Sequence, residues 1–202
     1  MMIDVKQITS LHRNTTKLWH ESEFVNIHRD LLYLVCEQHK FNFLLWHEED
    51  IARSPDIGDE RIAASKRAID GYNQHRNDAI ERIDEYLKIV LESCQIVPAH
   101  GARLNTETPG QTIDRLSVLA LRIYHMQEQC ERRDVDTEHL VRVHGMLEIL
   151  YMQHEDLSNS LNELLADYFA GRKRLKLYRQ IKMYNDPTLN PYLYNRSLEA
   201  AY

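Results

Sequence analysis

Glycine and proline, the residues that most often interrupt helices, are rare in this chain and occur at only a few points. The 202 residues include 6 Gly and 5 Pro, and between these points the apolar residues recur at the spacing of an amphipathic helix. A sandwich or barrel of many short strands would need turn residues at every connection. The pattern therefore predicts an all-α, single-domain protein in which long helices joined by short connections form an up-and-down bundle.

These interruptions also indicate where the helices begin and end. Thr108 followed by Pro109 favours a helix start, because a threonine side chain accepts a backbone N–H and proline fits the first helical position. Gly171 is typical of the residue that follows a helix end. We predict about five or six helices, at 4–20, 23–53, 60–95, 110–132, 136–170 and 173–184.

The C-terminal segment differs in charge from the rest of the chain. Residues 172–202 carry a balance of +5, whereas the whole chain carries −6, so the remainder carries −11. An acidic body with a basic tail favours a tail that folds back onto the body. We expect a helical bundle over 1–171, and over 172–202 a basic helix followed by an extended strap rich in Tyr and Pro. This tail is also the predicted contact if the chain binds a protein partner or forms a homo-oligomer.

Charge, hydropathy and cysteine usage exclude several classes of protein. A net charge of −6 disfavours binding to nucleic acid, which requires many cations against the phosphates. The chain begins without a secretory signal pattern, and no stretch approaches the roughly 18 apolar residues of a membrane span. Cys36, Cys94 and Cys130 lie far apart, which is typical of reduced thiols. We therefore expect a cytoplasmic protein.

Several polar side chains fall among the apolar residues that the second and third predicted helices turn towards the core. On the helical wheel of the third helix, Arg76 lies in the middle of an arc of isoleucine and leucine residues. An unpaired buried guanidinium costs several kcal/mol, so Arg76 needs a partner. The other polar residues in or beside the two apolar arcs are Asn42, Glu49, Arg53, Lys66, Asn73, Asn77 and Asp84.

Two interpretations of these residues remain open. In the first, Glu49 and Asp84 neutralise Arg53 and Arg76 in a buried network that fixes the register of the helices. In the second, the same groups line a polar pocket between helices, the usual place for a ligand in a bundle. The arginines would then bind an anion, and the asparagines of the third helix would bind its hydroxyl groups.

The start of the fourth predicted helix is a second candidate for anion binding. The first N–H groups of a helix have no partner within it, and a glycine there lets a ligand approach closely. Charged residues follow on the predicted polar side of this helix, and the basic tail can supply another cation. The predicted site comprises Thr108, Gly110, Asp114, Arg115, Arg122 and, from the tail, Arg179.

Several of these segments resemble an uncharacterised, mainly bacterial, all-helical domain family of about this length. The resemblance covers nearly the whole chain and implies an all-helical fold, but the family pattern carries no proven catalytic residue. The segments are Leu45-Trp46-His47-Glu48-Glu49-Asp50-Ile51-Ala52-Arg53, Asn73-Gln74-His75-Arg76-Asn77-Asp78, Thr108-Pro109-Gly110 with Asp114-Arg115-Leu116-Ser117, and Lys182-Met183-Tyr184-Asn185-Asp186-Pro187.

Known metal-binding patterns are absent from the sequence. Di-iron bundles need Glu-x-x-His and zinc proteases need His-Glu-x-x-His, and neither occurs. The 11 histidines are scattered without ligand spacing, so we predict no metal site. One alternative is a Mg²⁺-dependent nucleotide pyrophosphohydrolase, which holds its ion with acidic residues on adjacent helices. Those residues would be Glu48, Glu49, Asp50, Asp78, Glu81 and Asp84.

The preferred hypothesis is a protein that binds a small anionic metabolite, such as a phosphorylated sugar or a nucleotide-sugar, in a polar pocket between helices. It needs no cofactor, and Mg²⁺ enters only under the hydrolase alternative. A non-enzymatic interaction protein is the alternative of a different class. The sequence leaves open whether the chain catalyses a reaction.

Overall fold

Five α-helices make up most of the part of the chain that the computed structural model describes, residues 3–179 and 188–189. These residues form no β-sheet, so the predicted all-α class and helical bundle are confirmed. The helices are α1 (Val5–Glu21), α2 (Asp30–Arg53), α3 (Asp59–Ser93), α4 (Pro109–Cys130) and α5 (Thr137–Phe169).

Three of the helices begin at a side chain that caps the first turn. Asp4 accepts a hydrogen bond from the backbone of Lys6 at the start of α1, and Asp136 accepts one from His139 at the start of α5. Thr108 and Gln111 form a reciprocal capping box at the start of α4, where the sequence predicted that a helix begins. Such caps satisfy backbone N–H groups that have no partner within the helix.

The second helix begins later than predicted, at Asp30 rather than near residue 23. The side-chain amide of Asn26 donates to the carbonyl of Tyr33 and to the carboxylate of Glu37, and its oxygen accepts from the backbone of His28. Asn26 therefore anchors a non-helical segment against the first turns of α2. Helical periodicity alone cannot reveal such competition from a side chain.

The predicted sixth helix, 173–184, is absent over residues 173–179, and the remainder of it lies outside the described residues. Gly171 ends α5 with a φ of +67°, and a Cβ at this position would come within 2.8 Å of the carbonyl oxygen of Val97. The next residues pair with the connection between α3 and α4, since the N–H of Arg174 donates to the carbonyl of Arg103. These backbone bonds hold the first part of the tail in an extended form. The predicted strap over 180–202 falls outside the described residues, apart from 188–189.

The fourth helix is the centre of the bundle, because it contacts each of the other four helices. α2 packs along α3, and α4 along α5, as two helical hairpins. The hydrophobic core lies where these hairpins meet α1 and includes Ile8, Val35, Ile83, Leu116 and Leu161. No helix in the described part of the chain is both long and apolar enough to cross a membrane.

Candidate functional site

A buried carboxylate, Asp114 on α4, is the centre of a polar network that joins three helices. Its Oδ1 accepts hydrogen bonds from Gln38 at 2.6 Å, from Asn42 at 2.9 Å and from the Nε of Arg76 at 2.7 Å. A second nitrogen of Arg76, Nη2, donates to Oδ2. The carboxylate therefore has four donors from α2 and α3, and the charge of Arg76 compensates its own.

The network continues from Asp114 to the first helix. The side-chain amide of Asn42 also donates to the hydroxyl of Ser117 at 2.8 Å. Ser117 Oγ lies 2.7 Å from His39 Nδ1, and His39 Nε2 lies 2.9 Å from the hydroxyl of Thr16. Burial lowers the pKa of His39 to about 3, so this imidazole is neutral. The hydrogen bonds thus run from α3 through α4 and α2 to α1.

The partners of the predicted inward residues differ from the expected ones. Glu49 does pair with Arg53 at 3.0 Å, and Lys66 lies 3.6 Å from the same carboxylate. Asp84, however, is not the partner of Arg76, which binds Asp114 instead. The prediction that Asp114 lies on the polar side of its helix is wrong, because its side chain is buried. α4 is covered by other helices on several sides, so a wheel with one apolar face does not describe it.

Asp84 instead occupies the start of α4. Its Oδ1 accepts the backbone N–H of Gly110 at 2.7 Å, and Thr108 also hydrogen-bonds to it. Burial raises the pKa of this carboxyl to about 6, partly offset by these two hydrogen bonds. A Cβ on Gly110 would come within 2.7 Å of the carbonyl oxygen of Ile80. Gly110 therefore allows the close approach of α3 rather than of a ligand. The carboxylate of Asp84 occupies the position at which an anion was predicted to bind.

Two clefts lie on either side of Arg76. The first, the α4–α5 cleft, has a volume of about 610 Å³ and is lined by Arg76 and Asp114 together with residues of α4 and α5, including Gln153 and Asp156. The second, the α2–α3 cleft, has a volume of about 430 Å³. Its lining includes six residues of the predicted site, Asn42, Glu49, Arg53, Asn73, Arg76 and Arg122. The structure thus brings these six together.

Arg122 lines both of these clefts and also an adjoining apolar hollow of about 430 Å³. Within residues 3–179 and 188–189, it has no hydrogen-bond or ion-pair partner. Arg115 also lines the α4–α5 cleft, but its guanidinium lies 2.8 Å from the carboxylate of Glu107. The two arginines of α4 in the predicted site therefore differ, and Arg122 is the more available cation.

Four more predicted residues, Asn77, Asp84, Thr108 and Arg179, line a separate, smaller cleft of about 250 Å³ between α3 and the tail. Asp84 and Thr108 line it, and their hydrogen bonds to each other and to Gly110 leave little capacity for a ligand. Arg179 lies 3.5 Å from Glu85, both of them exposed. Asn77 lines this cleft rather than the α2–α3 cleft. The fourteen predicted residues therefore do not form a single site.

Trp46 forms an aromatic wall between the α2–α3 cleft and the apolar hollow. Its ring is stacked on the imidazole of His125, with ring centroids 4.8 Å apart and planes 8° from parallel. This contact fixes the orientation of the indole. Flat rings held in this way are a common surface for stacking a sugar or a nucleobase.

Three histidines from different helices meet behind Trp46. One ring nitrogen from each of His20 on α1, His47 on α2 and His125 on α4 lies within 4.8 Å of the others. The rings of Phe43 and Tyr124 pack against this group, hereafter the histidine cluster. The expectation that the histidines are scattered without ligand geometry is therefore wrong for these three.

Sequence reasoning missed the histidine cluster because it looked for short-range spacing, whereas these residues lie on three helices. A signal was nevertheless present. The tetrapeptide Leu-Trp-His-Glu occurs twice, at 18–21 and 45–48, and the third histidine follows Tyr124. Each member of the cluster is thus preceded by an aromatic residue. At such a position one side chain can pack in the core while the next lies at its edge.

The acidic residues of the hydrolase alternative are dispersed. Glu48 pairs with Arg61, Glu49 with Arg53, and Asp84 is bound at the start of α4. Across residues 3–179, the histidine cluster is the group of potential ligands that lie within metal-binding range of one another. Among the described residues, no three of these carboxylates come within the metal-binding range that the histidine cluster shows.

Comparison with known proteins places the chain in a family. The profile of the family described as "Protein of unknown function (DUF4254)" matches residues 32–177, which include α3 to α5, all but the first two residues of α2, and the network around Asp114. No curated protein and no solved structure matches the chain. The match confirms the resemblance to an uncharacterised helical domain family, and the chain belongs to the DUF4254 family.

Proposed function

We propose that the chain binds a small anionic metabolite, a phosphorylated sugar or a nucleotide-sugar, in the two clefts that meet at Arg76 and Arg122. The observation that carries this proposal is the position of Arg122. It lines both clefts and the apolar hollow, and it has no partner within the described residues. A guanidinium in such a place is well suited to a phosphate group.

Arg76 is the second contact for the phosphate. Its Nε and Nη2 atoms are engaged by Asp114, which holds the guanidinium plane in a fixed orientation. Its third nitrogen, Nη1, has no partner among the described residues, and the side chain lines both clefts. A cation that is already oriented loses less conformational entropy when it binds a ligand.

The walls of the clefts suit the rest of such a ligand. Trp46 offers a ring face for stacking, and the hollow beside it is lined by apolar residues such as Met146 and Ile149. The α2–α3 cleft presents the amide of Asn73 and the carboxylate of Asp50, both of which can bind sugar hydroxyl groups. A nucleotide-sugar would thus place its base in the hollow, its phosphates at the arginines and its sugar in the α2–α3 cleft.

The experiment is a thermal-shift screen of the full chain against nucleotides, nucleotide-sugars and sugar phosphates, each with and without Mg²⁺. A ligand at 100 times its dissociation constant adds about 2.7 kcal/mol to the free energy of unfolding. We expect stabilisation by phosphorylated sugars and none by the unphosphorylated sugars at equal concentration. A panel without any stabilising compound, or equal shifts with and without the phosphate, would contradict the proposal.

A further inference from the structure

The histidine cluster contains three ring nitrogens that are buried and have no hydrogen-bond partner. These are the Nε2 atoms of His20, His47 and His125. Buried polar atoms are nearly always hydrogen-bonded, and each exception calls for an explanation. Here the three exceptions lie together, on three different helices, in a group whose ring nitrogens come within 4.8 Å of one another.

The other nitrogen of two of these rings is already engaged, and this fixes the tautomer. His20 Nδ1 lies 2.7 Å from the backbone carbonyl of Thr16, and His125 Nδ1 lies 2.7 Å from the carboxylate of Glu128. Both oxygens can only accept a hydrogen bond, so each Nδ1 carries the proton. In a neutral imidazole Nε2 then carries a lone pair and no hydrogen.

In their neutral form, His20 and His125 therefore present lone pairs to a buried space in which the described residues offer no donor, and the Nε2 atom of His47 is unpartnered beside them. Buried nitrogens without a partner are unfavourable, and a cation bound between the three would satisfy all of them at once. We propose that His20, His47 and His125 bind a divalent transition-metal ion through their Nε2 atoms, with Zn²⁺ as the ion that best suits three imidazoles. The metal ligands are distinct from the phosphate contacts Arg76 and Arg122, although His125 also lines the apolar hollow proposed for the base.

The distances are compatible with a metal after a small inward movement of the rings. An ion equidistant from three nitrogens at most 4.8 Å apart would lie up to about 2.8 Å from each, whereas a Zn–N bond is about 2.0–2.1 Å. Each ring thus has to move by at most about 0.8 Å. His20 lies in the last turn of α1, and His125 lies five residues before the end of α4.

The groups behind the ligands are those that metal-binding histidines commonly use. A carboxylate or a backbone carbonyl accepts the second N–H of the ring, fixes its orientation and makes the coordinating nitrogen more basic. Glu128 does this for His125, and the carbonyl of Thr16 does it for His20. Three protein nitrogens leave a fourth position of a tetrahedral ion for water or another small ligand.

The test measures the binding of Zn²⁺ to the full chain after removal of metals with a chelator, by calorimetry and by elemental analysis of the dialysed protein. We expect one Zn²⁺ per chain and a higher melting temperature in its presence. Co²⁺ in place of Zn²⁺ should give the visible absorption of a tetrahedral nitrogen site. Replacement of one ligand, by His47→Gln or His125→Gln, should weaken the affinity at least 100-fold.

Two further variants separate coordination from packing. Glu128→Gln leaves all three rings in place and should weaken Zn²⁺ binding by about 10- to 100-fold, because it removes the carboxylate behind His125. His75→Gln is the matched control, since His75 is exposed and stacks on Phe41 away from the cluster. This control should bind Zn²⁺ as the unmodified chain does. Absence of stoichiometric Zn²⁺, or equal affinity in all of these variants, would overturn the proposal.

Discussion

The Nε atom of Arg76 donates a hydrogen bond of 2.7 Å to Oδ1 of Asp114, and this ion pair connects α3 to the central helix. Asp114 is buried, whereas the side chain of Arg76 keeps 29% of its surface exposed in the clefts. The same pair is therefore a structural bond on one side and the edge of a candidate binding site on the other. The buried-network interpretation thus describes the nitrogens of Arg76 that bind Asp114, whereas the pocket interpretation concerns the part of the side chain that lines the clefts.

Replacement of Arg76 is expected to destabilise the fold. In Arg76→Met, Asp114 keeps only its bonds to Gln38 and Asn42, and a buried carboxylate loses its compensating charge. Loss of one partner of such a pair typically costs about 3–5 kcal/mol. Urea denaturation of the single variant should show a loss of about 3 kcal/mol, at the lower end because Arg76 is partly exposed.

The double variant Arg76→Met/Asp114→Asn is the control for this prediction. It removes both charges and should recover part of the loss, giving a coupling energy of at least about 1 kcal/mol in the double-mutant cycle. Additive effects of the two substitutions would show that the ion pair contributes nothing to the stability of the fold.

Replacement of Arg122 should affect ligand binding without affecting the fold. Because Arg122 is exposed and has no partner in the described part of the chain, Arg122→Ala should change the free energy of unfolding by less than about 0.5 kcal/mol. It should also weaken the binding of a phosphorylated ligand by about 10- to 100-fold, the value of a charged hydrogen bond. Titration by calorimetry measures this loss. Arg82→Ala, on an exposed part of α3 outside the clefts, is the matched control and should bind as the unmodified chain does.

Ionisation of Asp84 is expected to lower the stability of the fold as the pH rises. The pKa of this carboxyl is about 6 in the folded chain, against 3.8 for an ordinary aspartate. Between these values the folded state binds more protons than the unfolded state, so the free energy of unfolding falls with increasing pH. Asp84→Asn removes this pH dependence. As the pH rises from 4 to 7, the free energy of unfolding of the variant should therefore increase by about 2–3 kcal/mol relative to that of the unmodified chain.

Thermal or urea unfolding over that pH range gives the measurement for Asp84. Asp70→Asn, an exposed substitution on the same helix, is the control for the loss of a carboxylate from α3. A constant difference between Asp84→Asn and the unmodified chain at every pH would show that Asp84 does not titrate as proposed.

Burial of His39 makes the stability of the fold depend on pH in the opposite direction. Its pKa is about 3 in the folded chain, against 6.5 for an ordinary histidine, because burial disfavours the charged imidazole. Below pH 6.5 the unfolded state binds more protons, so the free energy of unfolding decreases as the pH falls. At pH 4.5, His39 therefore lowers the free energy of unfolding by about 2.7 kcal/mol relative to its value above pH 6.5. His39→Gln should reduce this acid sensitivity, as measured by urea unfolding at pH 7.5 and pH 4.5, and an unchanged pH dependence would refute the assignment.

The all-α class and most helix ends could be predicted because they depend on local chemistry. Thr108 caps α4, and Gly171 ends α5, through contacts within a few residues of the chain. The start of α2 was wrong because a side chain, Asn26, competes with the helix for backbone groups. The predicted basic helix of the tail fails over 173–179 because distant residues around Arg103 provide its backbone partners.

The candidate site could be predicted only in part, because the pairing of side chains depends on which helices become neighbours. The inward position of Arg76 followed from periodicity, but its partner Asp114 lies 38 residues away on a helix that is covered on several sides. The histidine cluster requires His20, His47 and His125 to meet from three helices. A spacing rule for a single helix cannot predict which residues of different helices will lie close together.

The central position of α4 also sets an order for folding. α4 contacts all four other helices, yet α1, α2 and α3 are synthesised before it. α2 and α3 can pair early, whereas Arg76 finds Asp114 only after synthesis has passed the start of α4. The early hairpin thus presents Gln38, Asn42 and Arg76 at the place where α4 will dock. Water can solvate these side chains during the delay, so the unfinished chain exposes less apolar surface to its neighbours than leucines at the same positions would.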